Sequence, residues 1–152
     1  MPLKPIRLVC LSSCLWLAAV ALAQEGHPAK GTWVGNWGPT TAQQNHVVVV
    51  MDWDGKNITG VVNPGPNDVP MKMARLDITP GSPSPQRGTP AVVPGFKLHI
   101  EAETKDTKGN TISIVADGTM QEVALPNRLI TGTWSQTAGG TTVKGDFKIS
   151  RQ

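Results

Sequence analysis

From about residue 31 onward the chain alternates apolar and polar positions with a period of two. The runs are short and rich in Val, Ile, Thr and Trp, and Gly, Pro, Asn and Asp separate them. No segment repeats apolar residues at helical spacing over ten positions. Period two with frequent turn residues predicts strands. Eight are expected, over residues 32–37, 46–53, 57–62, 71–78, 96–104, 111–119, 128–135 and 142–150. In FKLHIEAET, Phe96, Leu98, Ile100 and Ala102 take one face and Lys97, His99, Glu101 and Glu103 the other. Such a strand is buried on one side and wet on the other. Val143, Gly145, Phe147 and Ile149 alternate with Lys144, Asp146 and Lys148 in the same way. The run from Val47 to Met51 is apolar at every position, so its outer face is expected to be covered or to lie against a loop.

The turns set the order of the strands. Asp54-Gly55-Lys56, Lys108-Gly109-Asn110 and Ala138-Gly139-Gly140 are short and contain glycine, as tight antiparallel connections require. Sequential strands joined so closely predict an up-and-down meander. Glycines also fall on the apolar faces. Gly31 and Gly35 share a face with Trp33 and Trp37, Gly60 with Ile58 and Val62, and Gly132 with Ile130 and Trp134. Gly145 likewise shares a face with Phe147. Glycine inside a strand costs stability, so its repeated use beside large aromatics needs a reason. A missing side chain lets a sheet coil sharply and leaves room for a bulky neighbour. The expected fold is therefore all-β: a single antiparallel up-and-down barrel, or a strongly coiled sheet, of about eight strands. It occupies residues 31–152 and is interrupted by a proline-rich loop at 79–95. A loop of that length is a functional flap or a mobile insertion, and insertion is the preferred reading.

The first 23 residues read differently. Lys4 and Arg7 precede an apolar run from Leu8 to Leu22, and Ala21-Leu22-Ala23 is a small-x-small cleavage site. This predicts a secretory signal peptide over 1–23. The run is shorter than the roughly twenty residues of a membrane span. Leu11-Ser12-Ser13-Cys14 resembles a lipobox, but the apolar run continues past Cys14. Residues 24–30 are expected to be a flexible lead-in. The expected location is exported, periplasmic or extracellular, with no membrane span after cleavage.

Removing the leader changes the chemistry of the chain. Cys10 and Cys14 leave with it, so the remainder has no thiol and no disulfide. Lys4 and Arg7 also leave, so 12 basic residues face 11 acidic ones and the net charge falls from +3 to +1. With no basic run longer than two residues, nucleic acid is not an expected partner.

Gly31-Thr32-Trp33 on the first strand, Ile130-Thr131-Gly132-Thr133-Trp134 late in the chain and Arg151 near its end resemble the calycin group of small secreted barrels, the lipocalins and avidin-like proteins. The resemblance implies a barrel whose floor is closed by Trp33 packed under Arg151. The match is three residues at its core, the mature chain has no Tyr, and no lipocalin-like helix precedes its end, so no ligand residues are carried over. The strand spacing is also similar to that of small exported bacterial proteins.

Candidate chemistry is sparse. His99 with Glu101 suggests a metal pair, yet residues two apart on a strand stand about 6.6 Å apart and span one ion awkwardly; a solvated face is the preferred reading. Asp52 and Asp54 suggest paired carboxylates, but Asp before glycine is common turn chemistry. Met71, Met73 and Arg75 at spacing two suggest an adaptable apolar contact at a pocket mouth, or cover for the core beneath the first proline-rich loop. No nucleophile elbow, phosphate loop or dinucleotide fingerprint is present. The expectation is no enzyme, no catalytic residue, no metal and no cofactor. Two functional readings stand. One is a non-catalytic binder of a small apolar or aromatic molecule, contacted by Trp37, Trp53 and Trp134 through burial and stacking. The other is a structural or interaction module of the cell envelope with a filled barrel and a protein partner.

Overall fold

A computed structural model describes residues 26–81, 95–121, 123 and 126–152. The expected signal peptide at 1–23, with both cysteines, and most of the proline-rich loop lie outside the described residues. Eight strands follow one another: β1 (Gly31–Thr40), β2 (Gln43–Trp53), β3 (Ile58–Val62), β4 (Val69–Thr79), β5 (Gly95–Lys105), β6 (Thr111–Gln121), β7 (Leu129–Ala138) and β8 (Thr141–Arg151). Each pairs antiparallel with the next, and β8 pairs with β1, which closes the barrel. The sheet is therefore an up-and-down barrel, as the turn spacing predicts. Closure removes both free edges of the sheet.

One end of the barrel is plugged. Trp33, Met51, Leu98, Ile130 and Ile149 are almost completely buried there or just above it. Of the lead-in expected at 24–30, the described residues 26–30 lie against this floor. Ala29 is fully buried, and the indole Nε1 of Trp33 donates to its carbonyl at 2.8 Å. Arg128 donates to the carbonyls of Val123 (2.7 Å) and Pro28 (3.0 Å), tying the segment to the connection before β7. The strap is held because an apolar plug and a buried indole donor both needed cover; polarity in the lead-in hid this from a reading of local pattern. Trp33 stands opposite Arg151 in the β1–β8 register. The Arg151 Nε would lie 2.8 Å from a methyl placed on Gly31, so glycine leaves the guanidinium its path across the floor.

The inward glycines mark where the wall folds over. An inward row runs Leu98, Gly118, Gly132, Phe147, Trp37 through β5, β6, β7, β8 and β1. Gly118 and Gly132 are neighbours in it. A methyl on Gly118 would come within 2.8 Å of the Phe147 ring, so the glycine pair makes the space that this ring occupies. At Gly35 a methyl would run into the backbone of Lys148, and at Gly132 into that of Asp117. There the coiled backbone itself, more than a neighbouring side chain, excludes anything larger.

One element departs from simple alternation. The β4–β5 register shifts between Met71 and Met73: Met71 pairs with Ala102 and Met73 with Glu101. Met71 packs against the core, while Met73 is exposed. A bulge inserts one residue and sends side chains two apart to opposite faces, so the pair does not act together. The outer wall carries Arg75, Asp77, Lys97, His99, Glu101 and Asp117, and the interior is apolar. This polarity is the reverse of a lipid-embedded barrel. Among the described residues no helix is long and apolar enough to cross a membrane.

Candidate functional site

Above the plugged floor the interior opens into an apolar cup of about 200 Å³. Its walls draw on all eight strands. Val47 and Val49 of β2 and Ile100 and Ala102 of β5 form much of the side, because period two directs these residues inward. Ala102 and Ala116 are the small residues of the lining. Three aromatic rings, Trp37, Trp134 and Phe147, complete the lining, and the amide side chains of Asn63 and Gln136 stand at the end near the β3–β4 connection. None of the described lining residues is titratable.

Trp37 and Trp134 meet edge to face, with ring centroids 4.2 Å apart and planes at 83°. This geometry suits the ring quadrupoles. Trp134 is 7 % exposed, and its Nε1 is buried with no hydrogen-bond partner among the described residues. Asn63 shapes the opposite wall. It adopts φ of 50°, its backbone N–H donates to the Val48 carbonyl at 2.6 Å, and its Oδ1 accepts from the Val48 N–H at 3.0 Å. Asn tolerates this left-handed conformation better than most residues, and the two bonds moor the proline-rich β3–β4 connection to β2.

Of the three tryptophans expected at a site, Trp37 and Trp134 come together at the cup. Trp53 does not join them. It lies at the plugged end, stacked on His27 with centroids 4.3 Å apart and planes at 18°. Trp37 and Trp53 both lie toward strand ends, but β1 and β2 run in opposite directions, and Trp53, the last residue of β2, is at the floor. Burial against that indole lowers the His27 pKa below its ordinary value. The aliphatic lining from Val47 to Ala116 was not singled out from the sequence. Alternation marks those residues as inward, but their height in the barrel depends on the stagger between strands.

The remaining chemical candidates lie outside the cup. His99 Nδ1 is 2.6 Å from an Asp117 carboxylate oxygen, and Nε2 is 3.3 Å from Glu101. The hydrogen bond to Asp117, with a smaller contribution from Glu101, raises the His99 pKa above its ordinary value despite partial burial. The two ring nitrogens are committed to separate carboxylates on the outer wall, and among the described residues no group of three or more His, Cys, Asp or Glu is placed to hold a metal ion. Asp52 is held by Lys30 at 2.8 Å, and this contact lowers its pKa most. Asp54 Oδ1 accepts the backbone N–H groups of Lys56 (2.8 Å) and Asn57 (2.6 Å). These bonds depress its pKa and build the β2–β3 turn.

No family model, curated protein or solved structure matches the chain.

Proposed function

We propose that this protein is a non-catalytic, exported binder of a small apolar molecule, held in the cup between Trp37, Trp134 and Phe147. One observation carries the reading: a barrel closely packed at one end keeps an aromatic-lined space of about 200 Å³ at the other. Protein interiors leave few voids larger than a water molecule, and a pocket of apolar wall with a few polar groups at its margin is the usual form of a small-ligand site. With no titratable group in its described lining, the cup has burial and ring contact to offer, and no acid, base or nucleophile. Export rests on the leader expected at 1–23. A closed eight-strand meander in which Trp33 pairs with Arg151 across the β1–β8 seam is compatible with a calycin-like barrel.

The test is tryptophan emission of the chain beginning at Gln24, titrated with single-ring and short-chain apolar molecules. Saturable quenching or a blue shift is expected. It should be lost in Ala116→Leu, which fills the cup. No saturable change with any probe in the native chain would reject the reading.

The envelope interaction module is favoured by a different observation. Val34 pairs with Val48 and Val50 with Val61 on the outer wall, so four half-exposed valines form a stripe across β1, β2 and β3. The double change Val48→Lys and Val50→Lys should abolish any co-purifying partner under that reading, and should leave probe binding in the cup unchanged.

A further inference from the structure

The cup changes character from its depth to its mouth. Its buried lining residues are Val47, Val49, Ile100, Ala102, Trp134 and Ile149, and among the described residues no polar residue is buried. The Trp134 Nε1 is sealed from solvent and from anything held in the open space. Polar groups enter only where the lining becomes accessible. Gln136 follows Trp134 by two positions on the inward face of β7, about 7 Å farther along the strand, and it is half-buried. Its register neighbours are Ile114 and Val143. Val143 is 46 % exposed, which places this row at the mouth. Asn63 directly follows β3. In the closed sheet β3 and β7 stand on opposite sides, so the two amide residues flank the opening from opposite walls. Their free capacity differs. Asn63 Oδ1 is taken by the Val48 N–H at 3.0 Å, which leaves its Nδ2 donor. The Gln136 side chain makes no hydrogen bond among the described residues and is not sealed from solvent, so it offers both a donor and an acceptor.

We infer that the ligand of the cup is a one-ended, uncharged amphiphile: an apolar body about the size of one ring in the depth, and a single hydroxyl or carbonyl group at the mouth beside Gln136. The inference rests on the binding function proposed above and names the ligand class. Size follows from volume. An engineered apolar cavity of about 150 Å³ accepts benzene, so about 200 Å³ takes one ring with a short substituent, or a chain of similar bulk. Orientation follows from the gradient of the lining. A polar group at the mouth meets an amide, while a second one at the far end of the ring would be buried against Val, Ile and Ala with no partner, at a cost of about 1–3 kcal/mol. The absence of charge follows from the described lining, which holds no titratable residue: an ion there gives up hydration without meeting a counter-charge.

The experiment uses four molecules built on one ring. Propylbenzene and 2-phenylethanol match in shape and differ in the terminal hydroxyl. 4-(2-Hydroxyethyl)phenol adds a second hydroxyl at the opposite end of the ring, and 2-phenylethylammonium replaces the hydroxyl with a charge. Calorimetric titration is done on the native chain and on Gln136→Leu, with thermal unfolding of each as the fold control. The ratio of 2-phenylethanol to propylbenzene affinity should fall about 3- to 10-fold in Gln136→Leu, the range of one net neutral hydrogen bond. An unchanged ratio overturns the inference and leaves the binding function standing. In the native chain the two-ended phenol and the ammonium should each bind at least about 5-fold more weakly than 2-phenylethanol. Equal or tighter binding of the phenol would overturn the single polar end, and equal or tighter binding of the ammonium the absence of charge; either result rejects the class as stated. Failure of all four to bind the native chain would overturn the inference together with the function on which it rests. Should Gln136→Leu fail to fold, Gln136→Met, which keeps the length of the side chain and removes the amide, serves as the second variant with the same expected fall in the ratio.

Discussion

Trp33 and Ala29 are joined by a 2.8 Å hydrogen bond from the indole Nε1 to the backbone carbonyl, and both residues are fully buried. The bond links the first strand to a segment that precedes the barrel, and it makes that segment part of the floor. Replacing Trp33 with Phe keeps most of the apolar volume and removes the donor. The Ala29 carbonyl is then buried unmet, at a cost of about 1–3 kcal/mol. The urea midpoint should fall accordingly, while binding of small probes at the other end of the barrel stays unchanged.

Ala29→Glu tests the strap from its other side. A carboxylate cannot be accommodated at a fully buried position between the strap and the floor, so the segment should undock. Trp53 loses its His27 neighbour, and the tryptophan emission should shift to the red without loss of the strand signal in circular dichroism. An unchanged emission maximum would mean that the strap contributes nothing to the environment of Trp53.

Two glycines separate steric from conformational demands. At Gly35 a methyl would collide with the Lys148 backbone of β8, in a wall that cannot move without opening the β1–β8 seam. Gly35→Ala should cost more than about 3 kcal/mol or prevent folding, at the upper end of single-substitution effects. Gly55, at φ of 97°, has open space around its Cα. Gly55→Ala meets only the strain of a left-handed backbone, about 1–2 kcal/mol. Comparing chemical denaturation of the two variants checks the ranking.

His99 supplies a pH dependence whose sign can be stated. Asp117, and secondarily Glu101, raise its folded pKa above the unfolded value of about 6.5. The protonated form is therefore favoured by folding, and the stabilisation is complete below about pH 6.5 and lost as pH rises through the folded pKa. Asp117 and Glu101 are substantially exposed, so the effect is small, about 0.5–1 kcal/mol. In His99→Gln this increment between pH 6 and pH 9 should disappear from the difference in unfolding free energy. An unaltered pH profile in the variant would show that the contact contributes nothing to stability.

Trp37→Ala enlarges the cup and removes the edge-to-face partner of Trp134. Loss of a large, half-buried aromatic should lower stability by about 2–4 kcal/mol, below or within the range for full burial. The size preference should move toward two-ring ligands. Titration with naphthalene and ethylbenzene checks the shift.

The strand pattern was readable because it is a local property. Whether Leu98 or Lys97 faces inward depends on alternation within one strand, and the glycines at 35 and 132 announce close backbone approach without reference to any partner. Eight strands, their order and their inward faces follow from such signals and from short turns. Height in the barrel is not local. It depends on how far each strand slides against the next, which sends Trp37 to the cup and Trp53 to the floor although both lie toward strand ends. The bulge between Met71 and Met73 is likewise invisible to period two, because only the paired strand reveals the extra residue. The strap is not legible in the sequence because Ala29 is apolar but isolated; the segment is held by the Trp33 indole on the Ala29 carbonyl and the Arg128 guanidinium on the Pro28 carbonyl, 4 and 100 positions apart. Alternation and chain stiffness thus determined the barrel from the sequence alone, while register between strands, which no single strand encodes, decided where its interior is filled and where it remains open.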